Sequence, residues 1–235
     1  MKITIITLFP NLFTEIFSTS ILGRASKQGL ITYELIDIRP FGEGVHQVVD
    51  GRPYGGGPGM ILKADILAKT WQEAISHQPS VVSTKNIKTH TILMSASGTP
   101  FKQAKARELS KLDHVIIVCG RYEGVDQRFI DQYIDEEISI GDYVLTGGEL
   151  PAMVVADAVT RLLPGVLKKE EATIDESFTE NLLEYPQYTR PEVFEGLKVP
   201  EVLLSGDHQK VEQWRRKKSI EKTQKIRPDL LKDAS

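Results

Sequence analysis

The chain has 235 residues, of which 40% are hydrophobic and 26% are charged, and its formal net charge is -3. This composition is typical of a soluble globular protein and excludes a fibrous or intrinsically disordered chain. The single cysteine, Cys119, excludes a disulfide framework, and no apolar run approaches the ~20 residues that cross a bilayer, so we expect a cytoplasmic protein without a membrane partner.

Short β-type runs alternate with helical stretches through the first two thirds of the chain. Runs rich in Ile and Val predict five strands, at residues 3–8, 31–38, 91–95, 114–119 and 134–140. Apolar residues at three- and four-residue spacing predict helices at residues 11–26, 64–76, 101–112, 125–133 and 150–163. This alternation indicates an α/β fold with a mostly parallel sheet.

The character of the sequence changes after Pro164. Residues 164 to about 189 lack sustained periodicity, which predicts a linker. Residues 211–223 predict a helix, and Gly206 and Asp207 are placed to start it. We therefore expect three parts: an α/β domain over 1–164, an interdomain linker over 165–189, and a small helical domain over 190–235.

The C-terminal end is basic, although the whole chain is slightly acidic. Residues 207–227 contain eight Lys or Arg and three Asp or Glu, a net +5 that leaves -8 for the rest of the chain. Two interpretations fit: a solvated helix face, or a surface that binds a phosphate backbone. The candidate contacts are Lys210, Arg215, Arg216, Lys217 and Lys218.

Glycines cluster in four loops. Residues 50–60 hold five glycines and two prolines, which allows a ligand to approach the backbone closely, or makes a flexible surface loop. The spacing fits neither a P-loop nor a dinucleotide fingerprint. Loops 95–98, 119–124 and 140–149 each follow a predicted strand, at the end where open α/β sheets bind ligands. They are either tight turns or a cleft with Tyr122 and Tyr143 as apolar walls.

Seven motifs identify a family resemblance that spans nearly the whole chain. They are YGGGPGM at 54–60, GRYEG at 120–124, ISIGDYVL at 138–145, GGELPAM at 147–153, PGV at 164–166, YTRP at 188–191 and LSG at 204–206. In this order they resemble the bacterial tRNA (guanine-N1)-methyltransferase family.

The resemblance implies a specific reaction and fold. The family transfers a methyl group from S-adenosylmethionine to N1 of guanosine 37 of tRNA, beside the anticodon. Its fold is of the SPOUT type, a mostly parallel sheet with a deep C-terminal trefoil knot, followed by a small helical domain. We accordingly expect a homodimer with shared active sites, a tRNA anticodon stem-loop as partner, and a supporting role for magnesium without a dedicated metal site.

The resemblance also assigns cofactor residues. The expected cleft comprises Ser95, Gly98, Gly120, Tyr122, Glu123, Ile140, Gly141, Asp142, Tyr143, Val144, Leu145, Gly147 and Gly148, with Pro58 and Gly59 at the methionine end. Many glycines and few charged side chains are consistent with a cofactor held by main-chain hydrogen bonds.

Methylation at N1 requires a base and a cation. Guanine N1 carries a proton near neutral pH, so a carboxylate must accept it while a cation stabilises charge on O6. The resemblance assigns the cation to Arg161, which otherwise fits an ordinary arginine at a helix end. At the base the chain departs from the family pattern acid-Asp-Ser-Phe. Glu176 stands at the aligned position and Asp175 precedes it, so both are candidates.

The resemblance gives the basic C-terminal residues a role on the anticodon-stem phosphates, whereas Trp214 is expected in the core of the small domain. Two rival functions remain. One is a related knotted methyltransferase that acts on a ribose 2'-hydroxyl or another RNA, against which Arg161 and the acidic linker argue. The other is a non-catalytic RNA-binding protein that uses the cofactor site as a sensor, and a methyl-transfer assay separates it from an enzyme.

Overall fold

The computed structural model describes residues 1–77, 87–168 and 176–232. The chain divides into two compact units, Met1–Lys168 and Lys169–Ser235. Each unit is described by itself below.

The first unit is built on a five-stranded parallel sheet. Its strands are β1 (Lys2–Thr7), β2 (Thr32–Asp37), β5 (Thr89–Pro100), β6 (His114–Cys119) and β7 (Glu136–Ser139), and two short strands, β3 (Asp50–Gly51) and β4 (Ile61–Leu62), pair separately. The order in the sheet is β2-β1-β6-β5-β7, and every pairing is parallel. The predicted α/β class with a mostly parallel sheet is therefore confirmed.

Helices cover both faces of this sheet. They are α1 (Thr14–Ser18), α2 (Ser20–Lys27), α3 (Ala64–Ser76), α4 (Gln103–Leu109), α5 (Gln127–Tyr133) and α6 (Glu149–Thr160). Residues of α1, α2, α4 and α6 pack against one face, and residues of α3 and α5 pack against the other. Central strands β1 and β6 are buried along their whole length. This explains the continuous apolar run of β6 over residues 115–119, whereas β1 carries the buried polar residues Lys2, Thr4 and Thr7 among its isoleucines.

The single helix predicted over 11–26 is wrong. A 3-10 turn at Pro10–Phe13 leads into α1, and extended Thr19 separates α1 from α2, whose first residue, Ser20, has φ 52°. Gly23 makes this break possible, since a Cβ atom there would lie 2.2 Å from the Ser18 carbonyl oxygen.

Strand β5 is longer than predicted. It pairs with β7 in two stretches, and the register shifts between Met94 and Thr99. The shift is a bulge-like irregularity, which bends a strand locally. Serine and glycine in this stretch do not resemble a buried strand, so the apolar pattern ended the prediction at residue 95.

The second unit is mainly helical. It contains a 3-10 turn at Thr179–Asn181, a hairpin of β8 (Val193–Phe194) and β9 (Leu197–Lys198), and helices α7 (Glu201–Leu204), α8 (His208–Ile226) and α9 (Asp229–Lys232). The Asp207 side chain accepts a hydrogen bond from the Lys210 amide at the start of α8, which confirms the predicted helix start. Within the described ranges, neither α8 nor another helix is both long and apolar enough to cross a membrane.

Candidate functional site

A cleft of about 310 Å³ lies at the carboxyl ends of β5, β6 and β7. Its lining consists of residues 94–97 in the irregular stretch of β5, the glycine-containing loops after β6 and β7, and Pro151 of α6. Carboxyl ends of adjacent parallel strands are where α/β sheets bind ligands. From the residues expected at the cofactor, the structure brings together Ser95, Gly120, Tyr122, Glu123, Ile140, Gly141, Tyr143, Val144, Leu145, Gly147 and Gly148.

Four expected residues do not line this cleft. Gly98 lies in β5 against β7, where a Cβ atom would be 2.5 Å from the Ile138 amide nitrogen. Asp142 and Pro58 are exposed. Gly59 faces Glu123, whose Oε1 would be 2.4 Å from a Cβ atom on the glycine. Glu123 lines the cleft, so Gly59 adjoins its rim.

The walls of the cleft include large apolar side chains that remain exposed in the first unit. Tyr122 and Tyr143 are 53% and 54% exposed, and Val144 is 87% exposed. The Tyr143 hydroxyl donates to the Ile140 carbonyl oxygen at 3.2 Å, and its ring lies against Gly141, where a Cβ atom would be 2.5 Å from Cε1. Gly141 also has φ 152°, so both conformation and space require glycine there.

The loop over 140–148 returns from β7 to the end of β6. Its last residue, Gly148, donates its amide hydrogen to the Gly120 carbonyl oxygen at 2.9 Å. A Cβ atom on Gly148 would lie 2.7 Å from the Cα atom of Cys119. Because β5 stands between β7 and β6, the loop crosses the carboxyl end of β5 and closes one side of the cleft.

A buried charged group below the cleft was not predicted from the sequence. Glu149, the first residue of α6, is 2% exposed, and its Oε1 accepts a 2.9 Å hydrogen bond from the Thr7 hydroxyl. Its Oε2 lies 2.9 Å from Nε of Arg121. The signal available was a glutamate that begins an otherwise apolar helix.

Cys119 is not a nucleophile in this environment. Burial raises the pKa of its thiol, and the negative charge of Glu149 raises it further. The thiol is therefore neutral near pH 7, and the thiolate is the reactive form.

The two expected catalytic positions lie in different units. Arg161 follows the last turn of α6, where its amide donates to the Asp157 carbonyl oxygen at 3.1 Å. The 12 residues of α6 rise about 18 Å, so its start at the cleft and its end at Arg161 are far apart. Glu176 is partly exposed in the second unit, and its carbonyl oxygen accepts from the Thr179 amide at 3.2 Å. Asp175 lies outside the described residues.

The basic residues of α8 lie on the surface of the second unit, together with local partners. The Arg215 guanidinium lies 4.8 Å from the centre of the Tyr185 ring, and Arg216 pairs with Glu180. Lys210, Lys217 and Lys218 pair with acidic residues one turn away on the helix or at its cap. Exposed pairs of this kind are weak, so a phosphate can compete for the cations.

Trp214 is half-buried, with its ring 6.2 Å from that of Tyr188. Both residues belong to the second unit. This placement fits a packing role within that unit better than an exposed stacking platform.

Comparisons with known proteins agree along the whole chain. The model of the family described as tRNA (Guanine-1)-methyltransferase TrmD matches residues 1–233. Three similar proteins each bear the name tRNA (guanine-N(1)-)-methyltransferase. The Alkaliphilus metalliredigens protein is 51% identical over 232 residues, covering 99% of this chain and 92% of that protein. The Pelotomaculum thermopropionicum protein is 50% identical (100% and 91% covered), and the Moorella thermoacetica protein is 48% identical (98% and 90% covered).

Proposed function

This chain belongs to the tRNA (guanine-1)-methyltransferase TrmD family, and from that premise we propose that it methylates N1 of guanosine 37 in tRNA with S-adenosylmethionine as donor. The observation that carries the proposal is the cleft at the carboxyl ends of β5, β6 and β7, with its exposed tyrosine walls.

The cleft fits the adenosine part of such a donor. Adenine is planar, with apolar faces and a polar edge. Tyr122, Tyr143 and Val144 offer apolar surface, while the glycine-rich loops leave main-chain groups accessible beside it. S-adenosylmethionine, when bound, supplies the methyl group on a positively charged sulfur. We assign its methionine end to the rim beside Pro58 and Gly59, where Gly59 lies against the Glu123 side chain.

The reacting guanine requires two protein groups. A carboxylate accepts the N1 proton, and we assign this role to Glu176, with Asp175 as the alternative. Arg161 stabilises the charge that builds on O6 as the proton leaves. The base would leave its stack to enter the site, as in other enzymes that modify a nucleobase.

A homodimer explains the placement of Arg161. Within one chain, α6 separates Arg161 from the start of the cleft by about 18 Å, which is longer than an arginine side chain. The outer face of α6 and the adjoining 3-10 turn expose Leu12, Leu150 and Val154, which are 51%, 60% and 47% exposed. Such an apolar face is typical of a protein interface, and a second copy that covers it would complete a shared site.

The second unit is assigned to tRNA binding. The cations on α8 would contact anticodon-stem phosphates, which position the RNA, while the guanine pocket provides specificity. We place the linker at 165–189 and the helical binding domain at 190–235. We assign the first domain, 1–164, to cofactor binding.

The path of the loop over 140–148 supports the deep trefoil knot expected for the SPOUT fold. It crosses the end of β5 and contacts the end of β6 before α6 begins.

The assigned location is the cytoplasm, where tRNA is modified. A supporting role for magnesium rests on the family resemblance alone. Among residues 1–77, 87–168 and 176–232, no three or more His, Cys, Asp or Glu side chains are grouped so that they could hold a metal ion.

A methyl-transfer assay tests the proposal. Labelled S-adenosylmethionine is incubated with a tRNA transcript that has guanosines at positions 36 and 37, and with a matched transcript changed only at position 37. Digestion then locates the modified base. Label at N1 of guanosine 37 in the first transcript alone is expected. Label on ribose, or binding of RNA and cofactor without transfer, would overturn the proposal in favour of one of the two rivals.

A further inference from the structure

One arginine in the lining of the cleft, Arg121, contacts residues of two other loops. The Arg121 side chain, 20% exposed, lies with its guanidinium carbon 4.5 Å from the centre of the Phe9 ring, and its Nη1 donates to the Thr146 carbonyl oxygen at 3.0 Å. The backbone of Gly147 packs against the same group, since a Cβ atom there would be 2.3 Å from Nε. The arginine thus links the loops after β1, β6 and β7.

Arg121 and Glu149 form an ion pair. Nε of Arg121 and Oε2 of Glu149 are 2.9 Å apart, yet neither atom has an aligned hydrogen-bond partner among the described residues. The other carboxylate oxygen of Glu149, Oε1, accepts a hydrogen bond from the Thr7 hydroxyl. Burial of a charged pair is costly, and apolar residues of similar size often stabilise a protein as well. Stability alone therefore does not explain why a pair stands here.

The location of the pair suggests its role. Tyr122 and Glu123, which follow Arg121 directly, line the cleft from the loop after β6. Val144 and Leu145, which precede Thr146, line it from the loop after β7. Tyr122 also adopts φ 59°, an unfavourable conformation for a residue with a side chain, so its neighbours must hold it.

We infer that the Arg121–Glu149 pair positions the two loops that line the cleft and so sets its affinity for the adenosine part of the donor. Arg121 fixes the loop over 140–148 relative to the loop after β6, and buried Glu149 fixes Arg121 through its charge. Both are positioning residues. The inference rests on the proposed function, because it names what the cleft holds.

The chain contains a matched control for this pair. Glu34 accepts a 2.8 Å hydrogen bond from the Thr4 hydroxyl and lies 2.9 Å from the Lys2 ammonium, with side chains 23% and 9% exposed. The same three kinds of group, a threonine, a glutamate and a cation, therefore occur at the start of β1, at the opposite end of the sheet from the cleft. A neutral glutamine in place of either glutamate removes one negative charge and keeps the shape of the side chain.

The experiment compares Glu149→Gln with Glu34→Gln in the full-length protein. Calorimetric titration with S-adenosylmethionine should give a dissociation constant raised about tenfold in Glu149→Gln and unchanged in Glu34→Gln. In the transfer assay, the KM for the donor should rise by a similar factor, while kcat at saturating donor stays within about twofold. Without donor, amides of residues 142–147 should exchange hydrogen faster in Glu149→Gln than in the wild type or in Glu34→Gln.

A double variant keeps the inference testable if Glu149→Gln folds poorly. Arg121→Met with Glu149→Met removes both charges and should restore thermal stability, while donor affinity stays weak. Wild-type affinity and exchange in Glu149→Gln, or equal losses in Glu34→Gln, would overturn the inference and leave the proposed function intact. Failure of the wild type to bind the donor would instead remove the proposed function, and the exchange comparison alone would then decide whether the pair positions the loop.

Discussion

Nε2 of His114 lies 2.8 Å from the hydroxyl of Thr4, in the buried interior at the amino end of the parallel sheet. The hydroxyl donates its own proton to Glu34, so it accepts from the histidine, which must be protonated on Nε2. Nδ1 of His114 is buried and has no hydrogen-bond partner in the described ranges. A proton added to Nδ1 would place a cation there beside Lys2.

This relationship predicts a loss of stability in mild acid. Burial, and then the charge of Lys2, lower the pKa of His114 to about 4 from 6.5. The unfolded chain therefore takes up the proton first as the pH falls, and the free energy of unfolding should drop by roughly 3 kcal/mol between pH 6.5 and pH 4. Urea unfolding of the wild type and His114→Gln at several pH values measures this, with exposed His46→Gln as control. Equal acid losses in wild type and His114→Gln would contradict the prediction.

The assignment of the base predicts a kinetic effect of Glu176. Glu176→Gln removes the proton acceptor and should lower the rate of methyl transfer about 10²- to 10⁴-fold, the usual contribution of general base catalysis. Donor affinity should not change, because Glu176 lies outside the cleft. Single-turnover transfer measures the rate, with Asp175→Asn as the matched variant. A large loss in Asp175→Asn alone would assign the base to Asp175.

Arg215 should contribute to RNA affinity through charge. Arg215→Ala is expected to weaken tRNA binding and to make its dependence on salt concentration shallower, by about one unit in the log–log slope, because one fewer phosphate contact releases one fewer counterion. Filter-binding titrations at several salt concentrations measure the slope, and Lys69→Ala, an exposed lysine of the first unit, is the control. An unchanged slope in Arg215→Ala would exclude the proposed phosphate contact.

Gly141 should be required for donor binding more than for folding. Gly141→Ala places a methyl group against the Tyr143 ring and strains φ, so donor affinity should fall about tenfold or more as the wall is displaced. Gly29→Ala is a suitable control, because Gly29 also has positive φ but open space around it. Titration with S-adenosylmethionine compares the two. Similar affinity in both variants would mean that Tyr143 does not form a wall of the bound state.

The sequence predicted elements wherever a local pattern was strong. Helix α3 runs over Ala64–Ser76, as its three- and four-residue spacing predicted, and β6 matches its apolar run at His114–Cys119. The break between α1 and α2 was missed, because it depends on a close approach of Ser18 to Gly23 that apolar spacing does not reveal.

The family motifs named most residues of the cleft, since the loops that carry glycines follow the strands directly. They did not indicate which of these residues line the cleft. Gly98 was expected at the cofactor, yet in the structure its missing side chain allows β5 and β7 to approach closely. These two strands are far apart in the sequence.

The sequence by itself determined the α/β class, the strands and helices of strong periodicity, and the family, because these depend on local spacing and on motifs that can be read in one dimension. Only the tertiary structure decided that buried Glu149 meets Thr7 and Arg121 beside the cleft. These residues come from separate elements, and the cost of burying the Glu149 carboxylate is offset only when the threonine hydroxyl and the arginine both reach it. These contacts form only in the folded chain, because no single segment of the sequence contains all three residues.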